Sequence, residues 1–121
     1  MDDEPLVLEL FQTFFLSKGF SVFVASSPKQ AITHIDKGHF DAIVCDVMME
    51  GLDGFGILAL ARAKNPQVGF VLVTGAPAAR DRARAEEFGA TYLSKPIGVE
   101  ALLEAVKFEL GAKNETPRKR A

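Results

Sequence analysis

The sequence predicts an α/β fold in which a parallel sheet is covered by helices on both faces. Hydrophobic periodicity alternates along the chain between helical stripes and short apolar runs. The run 68–73 is apolar throughout, as a parallel strand buried on both faces is. The order of elements is one helix and then four strand–helix units, an order that calls for right-handed crossovers.

Each element has a local reason. Residues 5–18 predict a helix, with Pro5 in the first turn and Gly19 as its stop. Its apolar positions (Leu6, Val7, Leu10, Phe11 and Phe14, with Leu8, Phe15 and Leu16) nearly encircle it. Residues 22–25 predict a strand. Ser27-Pro28 opens a helix that runs to Lys37, with Ala31 and Ile35 inward and Gly38 as stop. Residues 42–45 predict a strand, and 54–64 a helix that ends before Pro66. After the strand 68–73 comes a helix over 78–88. Its charged residues face solvent, and Ala79, Ala83 and Phe88 are expected inward. A short strand at 91–94 and a helix at 99–110 complete the order, the helix carrying Leu102, Leu103, Val106 and Leu110 on one stripe.

The 121 residues fit one domain, 1–111, followed by a basic tail, 112–121. Hydrophobic content of 48% and charged content of 25% are those of a soluble globule. A single cysteine, Cys45, excludes an internal disulfide and a thiolate metal cluster. No apolar run reaches the roughly 18 residues of a membrane span. The start, Met-Asp-Asp-Glu, is acidic where a signal peptide is basic. A cytoplasmic location is therefore expected. The tail holds Lys113, Arg118, Lys119 and Arg120 against Glu115, which leaves 10 basic and 15 acidic groups in the body. That balance argues against direct nucleic-acid binding.

Parallel strands present their carboxyl ends at one edge, where open α/β sheets place their chemistry. Asp46, Thr74 and Lys95 each directly follow a predicted strand, and Asp2 and Asp3 precede the first helix. Carboxylates brought together are costly unless a cation lies among them. An all-oxygen set suits Mg²⁺. The competing readings are plain: Asp2 and Asp3 as helix-capping acids, Cys45 as a small core residue, His34 and His39 as solvated, and Asp53 as a helix N-cap. Gly51, Gly54 and Gly56 do not make a dinucleotide fingerprint, since no strand leads directly into them.

Four pieces in order carry a resemblance: Asp2-Asp3-Glu4-Pro5, the Asp46–Gly54 segment, Val73-Thr74-Gly75, and Tyr92-Leu93-Ser94-Lys95-Pro96. With them the chain resembles the receiver domain of bacterial two-component response regulators over nearly all of residues 2–110. The resemblance implies a flavodoxin-like, doubly wound sheet in the order 2-1-3-4-5. It implies phosphoryl transfer from a phosphohistidine on a sensor kinase or phosphotransfer protein to Asp46, with Mg²⁺ held by Asp2, Asp3, Asp46 and the Met48 backbone carbonyl. Lys95 and Thr74 would contact the phosphoryl group. Tyr92 would rotate inward behind Thr74, and the surface 78–110 would present a new face to a downstream protein. The Lys95–Pro96 bond is expected cis. The domain assists its own phosphorylation but is not an enzyme.

Several features depart from the family's pattern. The family has an apolar strand before the acid pair, where only Met1 stands here, so the first strand is expected missing or truncated. A wrongly started or truncated chain, a rearranged or dimeric fold, and a degenerate receiver are three readings of that gap. Glu50 replaces a common proline. Met48 and Ala76 flank the site with side chains that cannot orient water, which implies a long-lived phosphoryl group. Two alternatives remain. One is a phosphorylation-independent binding module with a defective metal site. The other is a haloacid-dehalogenase-like phosphatase, which needs an aspartate where Met48 stands.

Overall fold

The computed structural model describes residues 1–2, 4–48 and 53–112. Its elements are α1 (Pro5–Ser17), α2 (Pro28–Lys37), β1 (Ala42–Asp46), α3 (Gly54–Lys64), β2 (Gly69–Thr74), α4 (Ala79–Glu87), β3 (Thr91–Ser94) and α5 (Val99–Lys107). A π-helical turn, Phe108–Ala112, extends α5. The sheet is parallel in the order β1-β2-β3. Ala42 stands opposite Gly69, and Thr74 opposite Ser94.

The two faces of β2 show how the fold is wound. Phe70 and Leu72 point into one core with Ile35 of α2, Ile57 and Leu58 of α3, and Ala85 of α4. Val71 and Val73 point into the other, with Phe15 of α1 and Leu102 and Val106 of α5. A strand alternates its side chains between faces, so helices on both sides bury every residue of β2.

Helix ends follow local chemistry. The Ser27 hydroxyl accepts from the Gln30 N–H at the start of α2. The Asp53 carboxylate accepts from Gly56 N–H at 3.0 Å and caps α3. Gly19 follows α1 with φ +91°, a left-handed turn that favours glycine.

Three expectations are corrected. Residues 22–25 form no strand: their backbone bond to the neighbouring segment is Asp2 N–H to the Ala25 carbonyl, 3.1 Å. A strand needs a neighbour along its length, and Met1 and Asp2 fill only one end of that place. On α4 the inward residue is Ala85, whereas Ala79 and Ala83 are exposed and Phe88 is 38% exposed. His34 is half-buried rather than solvated, with Nε2 3.2 Å from the Val24 carbonyl and its ring edge-on to Phe23. His39 is exposed beside Asp41. Cys45 is fully buried, and burial pushes its thiol up to about 12.

Candidate phosphoacceptor site

The carboxyl ends of β1, β2 and β3 meet at one edge. Asp46 ends β1, Thr74 ends β2, and Lys95 follows β3. Lys95 N–H donates to the Thr74 carbonyl at 2.7 Å, so the backbone fixes the start of the lysine side chain. Its Nζ lies 2.7 Å from Asp46 Oδ1 and 3.3 Å from Asp2 Oδ2. Asp2 is carried there by backbone. Its N–H bonds Ala25, and the Met1 carbonyl accepts from Asp46 N–H at 3.1 Å. Asp2 Oδ1 accepts from the Glu4 N–H at 2.9 Å.

Gly54 explains how α3 reaches the site. A Cβ at that position would stand 2.4 Å from the Asp46 carbonyl oxygen and 2.9 Å from a Leu72 methyl. Only a residue without Cβ lets the helix start come so close to the end of β1. The Gly54 N–H closes the approach by donating to Val47 O at 2.7 Å.

Asp46 and Asp2 are both buried, at 6% exposure each. Burial pushes the Asp46 carboxyl up to about 6; the Lys95 hydrogen bond opposes this and the Asp2 charge adds to it. Burial lowers Lys95, but Asp46 and Asp2 outweigh it, so its pKa is raised overall. Asp2 and Asp46 bring hard carboxylate oxygen atoms together at this edge. That donor set fits a divalent cation of the Mg²⁺ type. Asp2 and Asp46 would hold it.

The other predicted residues are placed as follows. Thr74 is buried, and its Oγ1 accepts from Ala76 N–H at 3.0 Å. Tyr92 is already inward at 6% exposure, with its hydroxyl accepting from Ala78 N–H at 3.2 Å and the Arg82 guanidinium 5.0 Å from its ring centre. The Met48 side chain is 71% exposed. Lys95–Pro96 is cis. Asp3, Glu50 and the tail from 113 onward lie outside the described residues. Among the described residues no group of three or more His, Cys, Asp or Glu is gathered for a metal. Sequence reasoning missed the part played by Met1, whose backbone joins Asp46 to Asp2; a methionine carries no side-chain signal for a backbone contact.

The chain matches the family "response regulator receiver domain" over residues 1–107. The transcriptional regulatory protein TcrA of Mycobacterium tuberculosis is 29% identical over 119 residues, 98% of this chain and 47% of TcrA. This chain spans about half the length, or less, of the curated relatives it matches. Among solved structures, a CheY-like receiver domain protein from Methanospirillum hungatei has a TM-score of 0.87 at 22% identity, covering 95% of this chain and 93% of its own. A response regulator from Burkholderia pseudomallei, described with a phosphorylated aspartic acid, a calcium ion and citrate, has a TM-score of 0.81 at 21% identity, covering 99% and 72%. The chain belongs to the response regulator receiver domain family, whose members are phosphoacceptor switches of two-component signalling.

Proposed function

We propose that Asp46 accepts a phosphoryl group from a phosphohistidine on a partner kinase or phosphotransfer protein. The observation that carries this is the Lys95 Nζ held 2.7 Å from a buried carboxylate at the carboxyl edge of the sheet, with Asp2 on the same ammonium. A carboxylate oxygen of Asp46 attacks phosphorus. The new O–P bond forms as the P–N bond breaks, and the imidazole nitrogen keeps the bonding pair. Lys95 holds charge on the phosphoryl oxygens, and the Thr74 hydroxyl at the same edge donates to them. A bound Mg²⁺ would offset the charge of the acids and of the phosphoryl group. A related fold, the Burkholderia protein, is described with both a phosphorylated aspartic acid and a divalent ion.

The chain acts on itself in this reaction and turns over no separate substrate. Phosphorylation would be read by a protein partner on the surface 78–110, where Tyr92, α4 and α5 meet. Nucleic-acid binding is not assigned to this chain, although relatives such as TcrA are named as transcriptional regulators. No helix among the described residues is long and apolar enough to cross a membrane.

A second reading has an observation in its favour. Both Asp2 oxygens already have partners, Glu4 N–H and Lys95, which suits a binding module that works without phosphate or metal. One experiment separates the two. Incubation with acetyl phosphate and Mg²⁺, followed by intact mass, should add one phosphoryl group that is lost in Asp46→Asn. An unchanged mass for the parent chain would leave the binding module as the reading. The rate should fall below about pH 6, where Asp46 takes up its proton. With Met48 and Ala76 beside the site, the phosphoryl group should persist once formed.

A further inference from the structure

Among the described residues, Glu109 is the buried carboxylate that lies away from the phosphoacceptor edge, at 1% exposure. On α5 the buried Leu102 and Val106 form a stripe at helical spacing. Glu109 holds the next place on that stripe, where an apolar residue is the rule and a buried acid needs partners. It belongs to the π turn Phe108–Ala112. Such turns are rare and are frequent at functional sites.

The Glu109 carboxylate completes the amino edge of the sheet. Gly69 N–H donates toward β1, to the Asp41 carbonyl. Alternation therefore turns the Phe70 N–H toward β3. The pairing of β2 with β3 begins only at Val71, opposite Thr91. Glu109 Oε1 accepts the Phe70 N–H at 3.0 Å, in the place of a strand carbonyl. Its Oε2 accepts from the Thr91 hydroxyl at 2.7 Å. One side chain thus ties the starts of β2 and β3 to the end of α5.

Two neighbours shape this place. A Cβ on Gly69 would stand 2.7 Å from Glu109 Cβ, so glycine there lets the turn lie against β2. Arg62 of α3 donates from Nε to the Val68 carbonyl at 2.9 Å and from Nη1 to the Phe88 carbonyl. Burial lowers the Arg62 pKa, and the Glu109 charge opposes this.

We propose that Glu109 is a positioning residue that couples Tyr92 to the end of α5, so that the turn 108–112 follows the position of β3. Thr91 and Tyr92 are neighbours in the chain, and a shift of the tyrosine is felt at the Thr91–Glu109 bond. The Phe70 bond holds the same carboxylate to β2, the fixed centre of the sheet. The turn carries Phe108, which is 51% exposed. The state of β3 thereby reaches a surface about 13 Å along the strand from Lys95. Only the signalling use of Tyr92 rests on the phosphoacceptor reading. The coupling itself needs neither phosphate nor metal, so the two fail separately.

The full chain supplies its own probe, since Tyr92 is its single tyrosine and it has no tryptophan. Acrylamide quenching of tyrosine fluorescence reads Tyr92, and amide exchange at Phe70 reads the carboxylate. In Glu109→Ala the Phe70 amide should exchange at least about tenfold faster, while the Leu58 amide of α3 stays protected. Quenching of Tyr92 should rise about twofold in the same variant. Glu109→Gln should restore both readings, because its side-chain oxygen still accepts from Phe70 and its amide can meet the Thr91 hydroxyl. Gly69→Ala should act like Glu109→Ala, since the added carbon displaces the same side chain, and it carries the test should Glu109→Ala not fold. An exposed Phe70 amide with Tyr92 quenching unchanged would reduce Glu109 to local packing and overturn the proposal. So would a Phe70 amide unchanged in both variants, equal acceleration at Leu58, or a Glu109→Gln chain that matches Glu109→Ala.

Discussion

Residues 70–73 and residues 22–25 are similar stretches of sequence, Phe-Val-Leu-Val and Val-Phe-Val-Ala, with opposite outcomes. The first is the middle of a strand with a partner on each edge and no residue above 4% exposure. The second forms no ladder among the described residues: its carbonyls at Val24 and Ala25 meet His34 Nε2 and Asp2 N–H, and Phe23 is 65% exposed. Strand propensity is the same kind of property in both. What differs is the neighbour. A β-branched, aromatic run becomes a strand when a ladder and two covering layers are available, and beside 22–25 only Met1 and Asp2 offer one.

The sharpest way to break that comparison is to truncate one apolar side chain to alanine in each region. Leu72→Ala removes a fully buried group from β2 and should cost about 3–4 kcal/mol, the range of large-to-small changes in a packed core. Val22→Ala borders a cleft between residues 22–25 and β1, where the lost volume opens onto space that is already empty, and should cost less than ~1 kcal/mol. Urea denaturation of the two variants measures the difference. Equal losses would mean that 22–25 is packed as tightly as β2.

Gly54→Ala probes the join between the complete region and the site. The added methyl carbon meets the Asp46 carbonyl oxygen, a backbone atom that cannot swing aside. A loss of about 2–3 kcal/mol is expected. Phosphorylation by acetyl phosphate should slow as well, because the clash displaces Asp46 itself. Wild-type stability and rate in this variant would show that α3 can retreat without moving β1.

The legible parts of the molecule were those decided within a few residues. Proline at N1 marked α1 and α2, a polar N-cap stands before α2 and α3, and continuous apolar character located β2. Asp46, Thr74 and Lys95 were legible because a residue after a parallel strand has only one edge to occupy. What failed was decided at long range. Residues 22–25 depend on a neighbour more than 20 positions away. The inward face of α4 was misread because alanines occur on both of its sides, so composition does not choose Ala85 over Ala79 or Ala83. His34 was misread because its partner is a backbone carbonyl, which leaves no trace in the sequence.

A smaller effect separates Asp46 from the ordinary carboxylates. Its pKa in the fold, about 6, lies above the ordinary 3.8, chiefly through burial. The folded chain therefore takes up a proton between about pH 6 and 4 that the unfolded chain does not, and stability from this group rises as pH falls through that window. Other acids titrate nearby, so the measure is the difference between the wild type and Asp46→Asn. From pH 7 to pH 4 the wild type should gain roughly 1–2 kcal/mol on the variant, after allowance for solvent screening. A difference that stays flat, or runs the other way, would place the Asp46 carboxyl in a well-solvated or fully neutralised position.

The smallest expected effects come from the two helix caps, one in each region. Asp53 is a charged cap on α3, with Oδ1 3.0 Å from Gly56 N–H, so it gains both a hydrogen bond and the favourable end of the helix dipole. Ser27 is a neutral cap on α2 at a longer 3.3 Å. The start of α2 also keeps a second clasp without it, since Gln30 Oε1 accepts from both the Ser26 N–H and the Ser26 hydroxyl. Asp53→Ala should cost about 1–1.5 kcal/mol and Ser27→Ala about 0.5 kcal/mol. The Asp53 loss should shrink in high salt while the Ser27 loss does not, because only the first contains a charge–dipole term. If Ser27→Ala proved the more damaging, α2 would be held mainly by its cap, and the packing of Ala31 and Ile35 against the core would contribute less than their burial implies.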